Sequence, residues 1–385
     1  MALSIARFQE SMALNAVFRS WQSMTRAKSA VAVAAPGRLG DASMSLATDP
    51  RTHPGVLKAL APYGLDLPQL EPPPVSSDAC IEARLEWCNA LETRFDGVFT
   101  TLIRNYPAIE GVESRTQLIK GVDGNDINLY ITKPKDASIL MPCVYHTHGG
   151  GMTVGTAADP LYVYWREALA STGMIVVGVE FRNAGGKLGP HAFPAGLNDC
   201  SSGLQWVHDN KIPLGYSKLI ISGESGGGNL SIATTLKAKQ EGKVCQVDGV
   251  YAMCPYIYGN YGVRCPSLAS LIENDGYFLG VDTMAVLAPL YDPSGKNAQN
   301  PLAWPYHSTV ADVAGFPPAT ISVNELDPLR DEGLAFFRTL IKASVPATAR
   351  TVHGTPHGMD MMMFDTAPEV CWSTLRDIRA FAGSL

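Results

Sequence analysis

The stretch LIISGESGGG, residues 219–228, decides the fold of this chain. Its apolar first half is typical of a buried strand, and a helical pattern at 229–240 follows it directly. Between strand and helix stands G-x-S-x-G, where the two elements approach so closely that only glycine fits beside the serine. A plain glycine-rich turn is the alternative, but this context favours a nucleophile elbow that exposes Ser225 at the carboxyl end of its strand.

Strand and helix patterns alternate on both sides of this turn. Apolar runs predict strands at 143–147, 174–181, 219–222, 249–254, 319–324 and 347–353, with helical patterns near 161–171, 197–208, 229–240, 331–343 and 368–381. Two more strand patterns flank the Asp-Gly turn at Asp123–Gly124 and predict a hairpin. Two hairpin strands and six alternating strands predict an α/β fold with an eight-stranded, mostly parallel sheet flanked by helices.

Two regions do not follow this alternation and are expected to form a helical cap. Residues 1–115 carry helical patterns at 55–62 and 78–101, separated by a proline-rich connector, and we expect them to be an N-terminal cap segment. Residues 116–385 are the expected catalytic domain, interrupted by a cap insertion at about 256–306. The aromatic residues of the insertion either line a substrate wall or fill the core of the cap itself: Tyr256, Tyr258, Tyr261, Tyr277, Phe278, Trp304 and Tyr306.

Composition excludes several classes of protein. With 46% hydrophobic and 17% charged residues, the composition predicts a folded protein with a hydrophobic core and excludes a disordered chain. Its 30 basic residues against 36 acidic ones, a net charge of −6 with no long basic run, predict no nucleic-acid partner. The sequence contains no run of 18 consecutive apolar residues, so we expect no membrane-spanning helix.

The cysteines and the N-terminus bear on location and assembly. The eight cysteines include no C-x-x-C pair, so we expect reduced thiols and a cytoplasmic protein, with one disulfide as an open alternative. Residues 1–35 predict an amphipathic helix that packs on the body or covers a site, and a targeting segment is the alternative. Exposed, such a helix would offer a surface for a homodimer.

A second glycine-rich loop follows the strand pattern at 143–147 and reads HGGG, His148–Gly151. Consecutive glycines let backbone N–H groups turn towards one point, as an oxyanion hole requires. We assign its donors to Gly150, Gly151 and, after the nucleophile, Gly226. A metal site on His146 and His148 is the alternative, but it lacks a partner nearby in the sequence and gives the glycines no role, so no metal is expected.

When the nucleophile lies on a G-x-S-x-G elbow, the orienting acid and then the base histidine are expected to follow it in the chain. Asp327 lies just beyond the strand pattern at 319–324, at the sheet edge where functional residues gather. Glu325 is an alternative, whereas Asp331 more simply caps the next helix. His357 lies in a loop from which it can reach Ser225, and His353, at the end of a strand, is the alternative base.

Together these residues resemble the hormone-sensitive-lipase-like family of α/β-hydrolases, the bacterial family IV esterases. The matching motifs are His148–Gly151, Gly223–Gly227, Asp327–Asp331 and His357–Gly358, and further stretches shared with one member extend the resemblance from about Pro36 to near the end. The resemblance implies an α/β-hydrolase fold and a serine carboxylesterase that forms an acyl-enzyme with small to medium apolar esters and needs no cofactor.

The resemblance also implies supporting roles for residues near the site. His148 and Gly149 belong to the oxyanion loop, and Glu224 is expected to be a supporting carboxylate beside the nucleophile. Asp199 is expected to hold the oxyanion loop by hydrogen bonding, with a simple interaction at a helix N-terminus as the equal alternative.

Other functions remain open on the sequence alone. An acyltransferase or a lactonase would use the same triad with a different acceptor or substrate. A non-catalytic ligand receptor on this fold would belong to a different class, but receptors that resemble this family lack the catalytic histidine, and His357 is present.

Overall fold

A computed structural model describes residues 35–67, 72–136, 140–263 and 265–385 of the chain. The amphipathic helix predicted near the N-terminus falls on residues 1–34 and therefore lies outside the described residues. From Gly37 to Leu385 the chain forms one compact unit.

The centre of this unit is a single sheet. Its strands are β1 (Val112–Lys120), β2 (Asp126–Pro134), β3 (Met141–Thr147), β4 (Ile175–Val179), β5 (Tyr216–Glu224), β6 (Gly249–Met253), β7 (Ala319–Asn324) and β8 (Ala347–Val352). The described residues place these eight strands in the order β1-β2-β4-β3-β5-β6-β7-β8. The β1–β2 and β2–β4 pairs are antiparallel and the other pairs are parallel, which confirms the predicted mostly parallel sheet.

Helices cover both faces of this sheet. Those of seven or more residues are α1 (Pro54–Leu60), α2 (Ile81–Leu102), α3 (Pro160–Ser171), α4 (Ala195–Asp209), α5 (Gly226–Gln240), α6 (Val281–Tyr291), α7 (Arg330–Lys342) and α8 (Pro368–Ser384). One-turn α-helices lie at Lys211–Leu214, Ser270–Glu273 and Val310–Val313, and 3₁₀ turns lie at Gly37–Leu39, Ala61–Tyr63, Ile103–Asn105, Gly186–Leu188, Val244–Gln246, Pro305–His307 and Met359–Met361.

The burial of each strand determines how clearly the sequence predicts it. Every residue of β3, β4, β6 and β7 is buried, because helices on both faces require continuous apolar strands. The edge strand β1 is exposed over most of its length and has no such run. It begins at Val112, and so the sheet starts inside the segment 1–115 that the sequence predicts as cap.

Two apolar layers, one on each face, hold the helices against the sheet. Alternate residues of β3 enter different layers: Cys143 and Tyr145 the first, Val144 the second. Leu46 and Leu60 from the N-terminal segment also lie in the second layer. The N-terminal segment therefore contributes to the core of the body as well as to its cap.

The two regions that the sequence predicts as cap are distant in the chain but meet in the structure. Helix α2 from the N-terminal segment packs against helix α6 from the insertion, above the end of the sheet where β5 meets α5. None of the helices in the described residues is both long enough and apolar enough to cross a membrane.

Candidate active site

Ser225 occupies the sharp turn between β5 and α5. Its backbone has φ 57° and ψ −120°, a left-handed conformation that side-chain-bearing residues rarely adopt and that is often found at functional sites. A Cβ on Gly223 or Gly227 would overlap the Thr147 carbonyl of the adjacent strand β3. The glycines of the motif are thus required by the close approach of the backbone, as the sequence predicts, and they leave Ser225 at the carboxyl edge of the sheet.

The oxyanion loop lies directly against this turn. Gly150 and Gly151 both have positive φ, 103° and 61°, so glycine is needed at each of them. A Cβ on Gly226 would lie only 2.6 Å from the Gly151 nitrogen. The structure thus brings together the three residues that the sequence predicts as oxyanion donors.

Glu224 supports the oxyanion loop from below. Its Oε1 accepts a hydrogen bond from the Gly149 N–H at 2.7 Å, and its Oε2 lies 3.0 Å from Nε2 of His146. Both side chains are buried. The Gly149 N–H is therefore committed to Glu224, which fits the predicted division between Gly149 as support and the next two glycines as donors.

His146 is a supporting residue that the sequence presented only as a metal ligand. It pairs with Ser222 across the β3–β5 ladder, which brings its ring beside Glu224. The signal available in the sequence was indirect: a buried carboxylate next to the nucleophile needs a partner.

His148 also supports the loop through packing. It is fully buried, its ring stacks on Phe181 with centroids 4.2 Å apart, and its Nδ1 lies 2.8 Å from the Gly149 carbonyl. Burial lowers the pKa of His148 to about 3, so the ring is neutral and serves as a stacking partner. Among the described residues, no group suited to metal coordination includes His146 or His148.

The predicted base and acid meet at the carboxyl ends of β7 and β8. His357 Nδ1 lies 2.9 Å from Asp327 Oδ2, while Asp327 Oδ1 accepts the Leu329 N–H at 2.9 Å. Burial disfavours the charged imidazole, but the Asp327 carboxylate outweighs it and holds the pKa of His357 well above its ordinary value. The Asp327 carboxylate thus stabilises the imidazolium that forms when His357 accepts a proton.

The alternative acid and base occupy a different place. Glu325 and His353 pair with each other at 3.1 Å, and the His353 side chain is 79% exposed. Asp331 accepts the Ser270 N–H at 2.8 Å and pairs with Arg330 at 3.0 Å. These three residues therefore form structural contacts at the rim, whereas Asp327 and His357 form the buried pair.

Asp199 does not make the contact that was expected of it. Its carboxylate is bound by the Arg182 side chain and backbone N–H and by Asn125. Its connection to the oxyanion loop is indirect and passes through the segment that follows Arg182. In that segment the N–H groups of Ala184 and Gly185 donate to the carbonyls of Met152 and Thr153. The prediction that Asp199 binds the oxyanion loop directly is therefore wrong. A fully buried carboxylate is stabilised better by the positive charge and several donors of Arg182 than by the neutral N–H groups of a glycine loop.

Cys254 is a neighbour of the site that the sequence analysis did not single out among the eight cysteines. It follows β6 directly, is buried, and lies with Asp327 and His357 in a group whose sulfur, oxygen and nitrogen atoms are within 4.8 Å of one another. Sequence spacing gave no signal for it, because the contact joins three separate strand ends.

Ser225 and His357 line one cleft, which encloses about 960 Å³ when its opening to solvent is counted. Both predicted cap regions contribute apolar walls to it: Phe95 and Phe99 from α2, and Phe278, Leu279, Met284 and Leu287 from the insertion. Tyr256 also faces the cleft and packs against Tyr261 and Trp304, while Tyr258 packs against Tyr261 and Tyr306. The aromatic residues of the insertion are thus divided between wall and cap core.

Comparison with known proteins assigns this arrangement to a family. A family model described as the alpha/beta hydrolase fold matches residues 144–361. Brefeldin A esterase, described as a bacterial homologue of human hormone-sensitive lipase, superposes with a TM-score of 0.88 at 43% identity, over 91% of this chain and 98% of that one. The esterase Est22 gives a TM-score of 0.78 at 34% identity, over 88% of this chain and 99% of that one.

A curated sequence relative agrees with these structures. Carboxylesterase NlhH of Mycobacterium tuberculosis is 31% identical over 258 residues, which cover 64% of this chain and 75% of that protein. The chain therefore belongs to the α/β-hydrolase family, in its hormone-sensitive-lipase-like branch.

Proposed function

We propose that Ser225, His357 and Asp327 are the nucleophile, base and orienting acid of this enzyme, with Gly150, Gly151 and Gly226 as the oxyanion donors. The chain is a carboxylic ester hydrolase of the serine type, like the esterases that it resembles. The observation that carries the assignment is the buried His357–Asp327 pair, which opens with Ser225 into one apolar cleft.

The proposed mechanism follows from this geometry. His357 accepts the hydroxyl proton of Ser225 as its oxygen attacks the ester carbonyl, and Asp327 holds the imidazole in the tautomer that leaves Nε2 free. The backbone N–H groups of the oxyanion donors stabilise the negative charge on the carbonyl oxygen. His357 then returns the proton to the departing alcohol, and a water molecule, activated in the same way, releases the acid from the acyl-enzyme.

The cleft indicates the class of substrate. Its walls of phenylalanine, leucine and methionine favour a small to medium apolar ester over a charged one. Acyl transfer or lactone hydrolysis would use the same residues, and no feature of the cleft favours either. A non-catalytic receptor is disfavoured, because the buried His357–Asp327 pair is costly to maintain without a catalytic role.

Replacement of Ser225 by alanine tests the assignment. We expect p-nitrophenyl butyrate turnover to fall on the order of 10⁴-fold or more, since the nucleophile is lost while the oxyanion hole remains. The control is Ser384→Ala, an exposed serine near the C-terminus, which should retain full activity. A fluorophosphonate probe should label the wild type and not Ser225→Ala, and full turnover by Ser225→Ala would refute the proposal.

We also propose the division of the chain into a cap formed from residues 1–115 and about 256–306 and a catalytic body formed from the rest. Within the first range, residues 1–34 lie outside the described part, and the edge strand β1 of the sheet begins at Val112. The support is that α2 and α6 both line the cleft. A cytoplasmic location is proposed because all eight cysteines, which lie within the described residues, are free thiols. The predicted homodimer rests on residues 1–34, outside the described part, and light scattering of the full chain would test it.

A further inference from the structure

The thiol of Cys254 lies beside His357, and the proposed mechanism assigns it no step. Its sulfur, one ring nitrogen of His357 and one carboxylate oxygen of Asp327 lie within 4.8 Å of one another. All three side chains are buried, with exposures of 1%, 8% and 0%. Since both Cys254 and His357 line the cleft, a solute that enters the cleft reaches them from one side.

The backbone holds this thiol in place. Cys254 has φ 33°, a left-handed conformation that is costly for a residue with a side chain. Its N–H donates to the Ser322 carbonyl at 2.7 Å, and the preceding Met253 carbonyl accepts the Ser225 N–H at 3.0 Å. The bend after β6 is therefore bound on both sides, and the sulfur is a fixed member of the group.

A thiolate, an imidazole and a carboxylate are the ligands that zinc takes in proteins. Zinc binds sulfur at about 2.3 Å and nitrogen or oxygen at about 2.0–2.2 Å, in tetrahedral geometry, so its ligand atoms lie within 4.8 Å of one another, as they do here. The charges also match: one thiolate and one carboxylate neutralise a divalent cation, which suits a buried site. Magnesium and calcium prefer sets of oxygen ligands, and the group offers only one such side chain.

We propose that Cys254, His357 and Asp327 form an inhibitory zinc site inside the catalytic cleft. Binding of Zn²⁺ releases to solvent the thiol proton of Cys254 and the second ring proton of a charged His357. The metal then takes one ring nitrogen, the remaining ring proton stays on the other nitrogen, and the Asp327 carboxylate turns from the ring to the metal. His357 then cannot accept the proton of Ser225, and turnover stops until the metal is removed. The inhibition rests on the proposed role of His357, whereas the binding of zinc does not.

Inhibition is tested with the full-length enzyme and p-nitrophenyl butyrate at increasing ZnCl₂. We expect zinc to inhibit the wild type, EDTA to restore activity, and MgCl₂ at the same concentrations to have no effect. Cys254→Ala and Cys254→Ser, each compared with its own uninhibited rate, should need at least tenfold more zinc for half inhibition because one of three ligands is lost. Cys245→Ser removes an exposed thiol elsewhere and should be inhibited like the wild type.

Binding is tested separately from activity by titration calorimetry with ZnCl₂ on Ser225→Ala, which retains all three proposed ligands. One site is expected in this variant and loss of that site when Cys254→Ala is added. With Co²⁺ in place of zinc, a thiolate-to-metal charge-transfer band should appear only when Cys254 is present. If zinc binds and inhibits the Cys254 variants as it does the wild type, or fails to bind Ser225→Ala, the zinc site is refuted. Full esterase activity of Ser225→Ala would instead refute the proposed function.

Discussion

At the scale of single residues, Glu224 shows how a side chain next to the nucleophile acts on a different loop. It is adjacent to Ser225 in sequence, but its two oxygens reach His146 and the Gly149 N–H. The pair is buried, so the carboxylate is stabilised by these partners and not by water. We infer that Glu224 positions the oxyanion loop and takes no part in proton transfer.

Glu224→Gln is expected to lower kcat for p-nitrophenyl butyrate roughly ten- to hundredfold while KM changes little, because small displacements of oxyanion donors cost transition-state stabilisation. The amide keeps the shape of the side chain but weakens the charged hydrogen bonds to His146 and Gly149. Glu241→Gln, which alters an exposed carboxylate directly after the last residue of α5, is the matched control. A rise in KM at constant kcat would show that Glu224 acts on substrate binding instead.

The predicted site residues with the clearest signal in the sequence are those held in local turns. Ser225 and the oxyanion glycines sit in tight turns whose glycines are visible in the sequence. The sequence did not predict the roles of His146 and Cys254 beside the triad because their partners lie on other strands. His146 and Glu224, for example, are 78 positions apart in the chain. Only the parallel order of the strands brings them together.

At the scale of elements, Glu332 joins helix α7 to the start of the cap insertion. Its Oε1 accepts hydrogen bonds from the Ile257 N–H at 2.7 Å and the Tyr261 hydroxyl at 2.9 Å. Complete burial raises its pKa to about 8. The carboxyl is therefore protonated in the folded protein at neutral pH, whereas in the unfolded chain it is ionised above its ordinary value of 4.5.

This difference gives the stability of the protein a defined pH dependence. Between pH 4.5 and about 8 the folded state holds a proton that the unfolded state has released, so the contribution of Glu332 to the free energy of unfolding falls as pH rises, by about 1.4 kcal/mol per unit. The amide of Glu332→Gln cannot ionise, so the free energy of unfolding of this variant does not fall with pH through this residue. The free energy of unfolding of the variant minus that of the wild type should therefore rise by about a few kcal/mol from pH 5 to pH 8.

Urea denaturation at pH 5, 6.5 and 8 measures this difference. Glu369→Gln, which removes an exposed carboxyl in the first turn of α8, is the matched control. If the free energy of Glu332→Gln relative to wild type is the same at pH 5 and pH 8, the buried carboxyl does not hold its proton in the folded state.

At the scale of the whole molecule, ion pairs connect the proposed cap regions to the proposed catalytic body. Arg51 pairs with Asp49 at 2.7 Å and with Glu273 at 2.6 Å, and Arg330 pairs with the same Glu273 at 2.7 Å. This network connects the N-terminal segment, the insertion and the helix that follows Asp327. Sequence patterns predicted each of these segments but not their assembly, since contacts more than 200 residues apart leave no local periodicity.

The N-terminal segment also supports the loop that carries the base. The His53 N–H donates to the Gly354 carbonyl at 2.9 Å, and the Tyr106 hydroxyl donates to the Met362 carbonyl at 2.6 Å. His357 lies between these two anchor points in the chain. A region that the sequence predicts as cap is thus also part of the frame of the catalytic site, while the exact boundary near residue 115 stays a prediction.

Leu60→Ala tests whether this segment belongs to the cooperative core of the body. Leu60 is fully buried in the second apolar layer, so its truncation should lower the free energy of unfolding by about 2–5 kcal/mol. Because the layer is shared with β3, α3 and α8, tryptophan fluorescence and esterase activity should be lost together at a lower urea concentration. Leu67→Ala, 56% exposed, should change stability by no more than about 0.5 kcal/mol. Loss of activity in a separate, earlier transition would instead show that the N-terminal segment unfolds independently of the body.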